Sequence, residues 1–390
     1  MAHILFAYKQ FPAPSIGHAG GESLYHLMEA LQRRGHRVSL VARLREDERP
    51  ALSVTAALCT HLITVPHHRS LPGTRPWAMA VSYVRFRRAV ARAIREWHPD
   101  LLHIETTQTA AVLAGLRLPP SSYRPQDLNW LLMEQQALRS TGLARRRYRM
   151  LSRLLKWGKT ALARRHPVLL AISEGDRGLL AAASQLAPLL LPLAPGVTSV
   201  LQPSVPAGPP TLLFVGAMSR DHNVTGVLWF LDQVWPRILA ELPDARFVIV
   251  GKDPPPELRA RADGARVEVT GFVEDLAPWY SAATAVVVPL LVAGGLLQKM
   301  LDAMAMGLPV LATSVCNHGI GASAGEHLLL ADTPEVFAAR AVDLLRDAEL
   351  RRRLGAAGRA FVLQRFDFEA AVDRWEQALL ALQPAAPMSR

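Results

Sequence analysis

The 390-residue chain is half hydrophobic and one-fifth charged, with a net charge of +11; this is globular, long enough for two domains, and excludes a disordered or fibrous chain. The basic excess lies wholly in residues 1–200, with 27 Lys+Arg against 12 Asp+Glu, while the remainder holds 17 against 21. Only Cys59 and Cys316 occur, far apart, which argues against a disulfide framework or cysteine metal site and fits a reducing cytosol.

The N-terminus, Met1-Ala2-His3-Ile4-Leu5-Phe6, has no basic n-region and no small-residue cleavage site, so it reads as a first strand (4–8) and not as a signal peptide. Helical spacing follows over 20–34 (Leu24, Leu27, Met28, Leu31), then a strand at 38–42, a helix at 77–97 and a strand at 101–104. A second basic helix (145–165) and a strand at 168–172 complete a strand–helix alternation that predicts a parallel, doubly wound sheet. The richest apolar stretch, 186–193, is short and broken by Pro188 and Pro192, so no transmembrane helix is expected. The first domain is placed at 1–197, followed by a Pro-rich linker at 198–210. Alternation restarts with a strand at 211–215, a helix at 224–239 and strands at 246–250 and 267–270. A helix at 276–282, a strand at 285–289, a helix at 297–306 and a strand at 310–313 follow. Gly307 and Pro309 are stop signals for the 297–306 helix. Helices at 334–346, 348–364 and 368–382 close the chain, giving an α/β fold with a second doubly wound domain at 211–365. In such tandem domains ligands are expected at the carboxyl ends of the strands, facing the cleft between them.

The most informative segment is Pro289-Leu-Leu-Val-Ala-Gly294-Gly295-Leu296-Leu-Gln-Lys299-Met-Leu-Asp302-Ala-Met-Ala-Met-Gly307-Leu-Pro309. A strand ends, two glycines turn, and a helix begins. Glycine permits close backbone approach, and a helix N-terminus offers N–H groups and a positive dipole end to a diphosphate. Lys299 lies in the first turn, within reach of a phosphate. Asp302, three residues on, shares its face and can accept hydrogen bonds from two ribose hydroxyls. A bare Gly pair before an amphipathic helix would not by itself establish such a site.

The words around it are more specific. Asp302-Ala-Met-Ala-Met-Gly307-Leu-Pro309-Val-Leu-Ala-Thr313 resembles the E-A-(M/L)-A-x-G-x-P-V-(V/L)-A-T signature of retaining family-4 glycosyltransferases of GT-B fold. Val215-Gly216 with Asn223 and Trp229-Phe230, then Pro243 to Gly251, then Val269-Thr270-Gly271-Phe272-Val273-Glu274-Asp275-Leu276, follow that family's order. In the first half, Gly20-Gly21 with Arg34-Gly35-His36-Arg37-Val38, and Ala171-Ile172-Ser173-Glu174-Gly175-Asp176, are similar to its first Gly-rich loop and last strand. The wording from Gly295 to Asp302 is similar to exopolysaccharide-type sugar transferases reading G-I-x-x-K-x-L-E. The match is specific over 210–320 and nearly absent between 106 and 145.

This resemblance implies two Rossmann-like domains facing a cleft, with the helix at 366–384 packing back on the first. It implies a metal-independent, retaining transfer of sugar from a nucleoside-diphospho-sugar co-substrate to an acceptor hydroxyl, with no resident cofactor. By likeness, Lys299 contacts the diphosphate and Asp302 replaces a ribose-binding Glu. Gly271, Phe272 and Val273 contact the base; Gly294, Gly295 and Leu296 line the donor; Gly20 and Gly21 face phosphates or sugar. Three positions depart from the pattern. Gly294 stands where relatives place a first Glu, Ala217 and Asn223 stand where a basic pair is common (with Arg220 as a substitute), and Asp302 is one methylene short of Glu.

In the acceptor half, the strand at 100–104 runs into Glu105, the best match to the polar residue nearest the reacting sugar. His103, one pleat earlier, is expected on the opposite face. Glu134 and His18 are weaker acceptor-side candidates. No HExxH, Walker loop or nucleophile elbow occurs, and the histidines show no metal-ligand spacing. The arginine-rich half suits an anionic partner. Nucleic acid is not expected without a binding module. The helix at 145–165 reads either as a basic amphipathic helix for an anionic membrane surface or as a core-facing helix with a snorkelling basic side. A cytoplasmic protein, peripheral at the inner face of a membrane, fits the first. The alternatives to a glycosyltransferase are a nucleotide-sugar epimerase, for which no clear acid–base set is present, and a degenerate GT-B partner that binds nucleotide without catalysis.

Overall fold

The computed structural model describes residues 1–14, 19–67, 76–126, 128–192, 208–293 and 295–382. The chain forms two units, Met1–Ala194 with Phe368–Arg390, and Pro195–Asp367. Most of the expected linker, 198–207, lies outside the described residues.

The first unit is built on β1 (His3–Tyr8), β2 (Arg37–Leu44), β3 (His61–Pro66), β4 (Leu101–Glu105), β5 (Ser121–Arg124), β6 (Val168–Ala171) and β7 (Leu189–Leu190). They pair in parallel in the order β3-β2-β1-β4-β5-β6-β7. β1 reads His-Ile-Leu-Phe-Ala-Tyr and is buried throughout, because helices cover both faces of a parallel sheet. The strands β3, β5 and β7 were not among the expected elements; of these only β5 lacks an apolar run. β5 is Ser-Ser-Tyr-Arg, buried at all four positions; the Tyr123 ring packs in the core, and the other three positions are held by side-chain hydrogen bonds.

The last helix, Phe368–Leu380, belongs to this unit. Trp375 is fully buried with Leu379 against the β1 core. Arg34 bridges Glu369 and Asp373, and His36 bridges Glu376.

The second unit carries β8 (Thr211–Val215), β9 (Arg246–Val250), β10 (Val267–Gly271), β11 (Ala285–Val288), β12 (Val310–Ala312) and β13 (Leu329–Leu330). The order is β10-β9-β8-β11-β12-β13, again parallel. Both sheets reverse their winding after their third strand, with the fourth strand returning beside the first, so each has a topological switch point: β1 against β4, and β8 against β11. The helix expected at 224–239 is instead two α-helical pieces, Asp221–Trp229 and Trp235–Glu241, joined by a π-helical turn at Phe230–Val234. Pro236 lacks the N–H that a continuous helix would donate, which accounts for the break.

Candidate functional site

The strongest concentration of chemistry lies at the β8/β11 switch point. β8 ends in Phe214 and Val215, and Gly216 follows. β11 ends at Val288, and the chain returns through Gly295 and Leu296 into the helix Gln298–Ala305. No side chain caps that helix at Leu297, so its positive end meets the glycine loop uncovered by a capping group. Gly294 lies outside the described residues, and Leu296 is buried.

Lys299 projects from the first turn back across β8. Its ammonium donates to Asn223 Oδ1 at 3.0 Å and sits 4.1 Å from the centroid of the Phe214 ring. Asn223 is itself buried and donates through Nδ2 to the Ala217 carbonyl at 2.8 Å. Gly216 makes this pocket possible: a Cβ there would stand 2.6 Å from Lys299 Nζ and 2.9 Å from Asn223 Nδ2. Burial, reinforced by the positive charge of Arg220 and opposed by Cys316, pushes the lysine down to about 7. Lys299 retains some accessible surface as a residue; its ammonium is the enclosed part. A cation held where its charged form is disfavoured gains most from an incoming anion. Arg220, exposed at the start of the helix Asp221–Trp229, adds a second positive charge near enough to act on it.

Asp302 is buried and accepts from Gln298 Nε2 at 2.8 Å. Its charge also helps to raise Tyr280, whose shift comes first from burial. The glycine loop is pinned from beneath. Gly295 has φ +70°, and a Cβ on Gly319 would run into the Gly295 carbonyl. On the other side of β8, Gly251 N donates to the Gly271 carbonyl at 3.0 Å. Gly271 closes β10, Phe272 follows it with its ring more than half exposed, and Val273 is partly buried.

The first unit corrects the sequence reading. Glu105 has no accessible surface. Arg124 Nε donates to it at 2.9 and 3.1 Å, and His103 Nε2 lies 2.8 Å from Oε2. It is therefore not a carboxylate presented to a sugar but the counter-charge of a buried arginine. His103 is not on the opposite face either, because residues two apart on a strand share one. His103 Nδ1 pairs with Ser122 Oγ at 2.8 Å, and the ring packs edge-on to Trp375. Burial would raise Glu105, but Arg124 and His103 outweigh it and hold the carboxyl below its usual range. Burial lowers His103 despite Glu105, so the cluster is an Arg⁺–Glu⁻ pair with a neutral imidazole.

Arg124 was missed in the sequence because it lies in the uninformative stretch that became β5. Thr106 was missed too. It follows β4 with φ +75°, a β-branched residue in a region that favours glycine. Its hydroxyl pairs with Thr109, whose Oγ1 accepts from Lys9 N, tying the ends of β1 and β4 together. Gly20 and Gly21 lie in the first turn of the helix Ala19–Arg33, where Gln126 Nε2 donates to the Gly20 carbonyl at 3.3 Å. Glu134 accepts from Ser152 Oγ at 3.1 Å, and His18 lies outside the described residues. Among the described residues no group of three or more His, Cys, Asp or Glu could hold a metal ion, and no helix is long and apolar enough to cross a membrane.

Two parallel doubly wound domains in tandem, with their switch points at the first and fourth strands, are the GT-B architecture. Residues 19–190 match the family described as glycosyl transferase 4-like domain, and residues 209–347 match glycosyl transferases group 1. The chain thus belongs to the GT-B glycosyltransferases of that family. Sucrose-phosphate synthase from Thermosynechococcus elongatus is similar in fold, with a TM-score of 0.75 at 19% identity, covering 98% of this chain and 100% of that one. HepE from Anabaena in complex with UDP-glucose has a TM-score of 0.69 at 15% identity, covering 98% and 100%. In sequence, an uncharacterized 44.6 kDa protein in the cps region of Klebsiella pneumoniae is 27% identical over 164 residues, 40% of this chain. That match spans 42% of the relative's length.

Proposed function

We propose that the protein transfers a sugar from a nucleoside-diphospho-sugar to an acceptor hydroxyl, with retention and without a metal ion, in the synthesis of an exopolysaccharide or related glycan. The observation that carries this reading is the Lys299 ammonium, held at the β8/β11 switch point by Asn223 and Phe214 with Arg220 close by. An enclosed cation next to an uncapped helix N-terminus suits a diphosphate. Lys299 and Arg220 then neutralise the leaving group as the anomeric bond breaks, a task that falls to a divalent cation in other transferases. Asp302 holds the ribose, and the backbone at Gly271–Val273 meets the base, with the Phe272 ring at its edge. Retention rests on the family resemblance. The glycan class is supported by the cps-region relative and by the exopolysaccharide-like wording of Gly295–Asp302.

The test is thermal shift and donor turnover across UDP-, GDP- and dTDP-sugars, with and without EDTA, and the anomeric configuration of the product read by NMR. Stabilisation by one nucleotide series, EDTA-insensitive turnover and an α-linked product from an α-linked donor are expected. No shift with any nucleotide overturns the reading. A free epimer without nucleotide release marks an epimerase, and binding without turnover marks a non-catalytic GT-B partner.

A further inference from the structure

The helix Gly142–Ala163 turns a row of large apolar side chains away from the core. In a soluble α-helix the apolar stripe faces the core and the polar residues face water. Here the fully covered positions are Ser152, Lys159 and Ala163. Ser152 donates to Glu134 of the neighbouring helix Asn129–Arg139, and the Lys159 ammonium lies 5.3 Å from the centroid of the Trp130 ring on that same helix. Leu151 and Leu162 are half-buried, but four large apolar side chains point the other way. Leu143 is 82% exposed, Met150 57%, Leu154 56% and Trp157 73%. At 100° per residue, spacings of seven, four and three place these four within about 60° of one another, on the side opposite Ser152 and Lys159, along roughly 20 Å of helix.

The borders of the stripe are equally one-sided. Arg146, Arg153 and Arg164 lie along one edge and Arg147 along the other, all exposed. The helix, GLARRRYRMLSRLLKWGKTALA, contains no Asp or Glu. Leu138, near the end of the preceding helix, is also 76% exposed. A contiguous apolar stripe of this kind on a monomer marks an interaction surface. A basic fringe with a tryptophan in the stripe is the pattern of a helix lying in a lipid interface, with its apolar side set among acyl chains and its arginines among phosphates. Pairing with a second copy would bring the same arginines face to face.

We infer that Leu143, Met150, Leu154 and Trp157, fringed by Arg146, Arg147, Arg153 and Arg164, form a docking face for an anionic lipid surface. The inference is independent of the donor site, which lies in the other unit, and it survives or fails whatever sugar is transferred. Docking by this face would bring the first unit to a bilayer without any membrane span.

Co-sedimentation of the full chain with vesicles tests it. Binding is expected to vesicles rich in phosphatidylglycerol, weakening as salt is raised, and to be at least about tenfold weaker to phosphatidylcholine alone, given the share contributed by each basic residue near a charged surface. Leu154→Ser with Trp157→Ser should lower partitioning to the anionic vesicles at least about tenfold while leaving the melting temperature unchanged, since both side chains face solvent. Arg146→Gln with Arg153→Gln should remove the salt dependence in proportion. Equal partitioning of the Leu154/Trp157 variant and the natural chain overturns the proposal, as does failure of the natural chain to bind either vesicle. A lipid-free dimer seen by light scattering, abolished by the same pair of substitutions and unaffected by vesicles, assigns the face to a second copy and overturns it as well.

Discussion

Lys299 donates its ammonium to the Asn223 side-chain oxygen at 3.0 Å, joining positions 76 apart in the chain across the end of β8. The contact gives Asn223, which stands where the family resemblance places a basic residue, a role in the proposed donor site. The asparagine positions the one cation, and Arg220 supplies the second. Replacing Lys299 by Met should weaken nucleotide binding about 10- to 100-fold, the worth of a hydrogen bond to a charged group. It should leave the melting temperature of the free protein unchanged or higher, because an enclosed charge is removed. Asn223→Ala should weaken binding only a few-fold. Calorimetric titration with the stabilising nucleotide, beside a thermal melt, checks both.

The low value of Lys299 gives binding a proton signature. In the free protein burial holds the group at about 7, whereas a bound diphosphate favours the ammonium and raises it. At pH 8 nucleotide binding should therefore take up close to one proton, and below pH 6 almost none. Titrations in buffers of different ionisation enthalpy measure this directly. Affinity should fall as pH rises above 7. The contribution of the same lysine to folding runs the other way. Between about 7 and its ordinary value near 10.5 the unfolded chain binds a proton that the folded chain does not, so this contribution rises with pH across that window.

Two glycines near the site should fail differently when changed to alanine. At Gly216 the new methyl meets the side-chain ends of Lys299 and Asn223 and approaches the Phe214 ring to 3.2 Å; side-chain ends yield more readily than backbone, so stability should change by about 1 kcal/mol while nucleotide affinity drops about tenfold as the ammonium is displaced. At Gly319 it meets the backbone carbonyl of Gly295, which cannot move without shifting the donor loop. Overpacking of that kind costs about 1–3 kcal/mol. Denaturant unfolding separates the two, with a stable, weak-binding Gly216 variant set against a destabilised Gly319 variant.

Glu105 is expected to be structural. Glu105→Ala strands the Arg124 guanidinium, which has no accessible surface, and should cost about 3–5 kcal/mol. Adding Arg124→Met should recover part of that loss, a coupling visible in a double-mutant cycle of unfolding free energies. A fall in turnover with unchanged stability in Glu105→Gln would instead return this carboxylate to the reaction.

The strand–glycine–helix segment that carries Lys299 was readable from the chain because its parts are consecutive. Strand β11, Gly295 and the Lys299 helix follow one another within a dozen residues, and period and turn chemistry report local structure. The tandem α/β layout was readable for the same reason. Partnerships between distant residues were not. Nothing in Ser-Ser-Tyr-Arg announces a buried central strand, because what buries it is hydrogen bonding to His166, His103, Thr107 and Glu105 from other elements. Glu105 looked like a strand-end acid until Arg124 was brought against it. The helix Gly142–Ala163 left two orientations open, since periodicity defines a face without saying what the face meets. Packing chose the orientation that buries Ser152 and Lys159 and turns Leu154 and Trp157 outward. Local pattern follows from short-range sterics and spacing, while which side chain meets which, and hence which charge is free to act, depends on long-range packing.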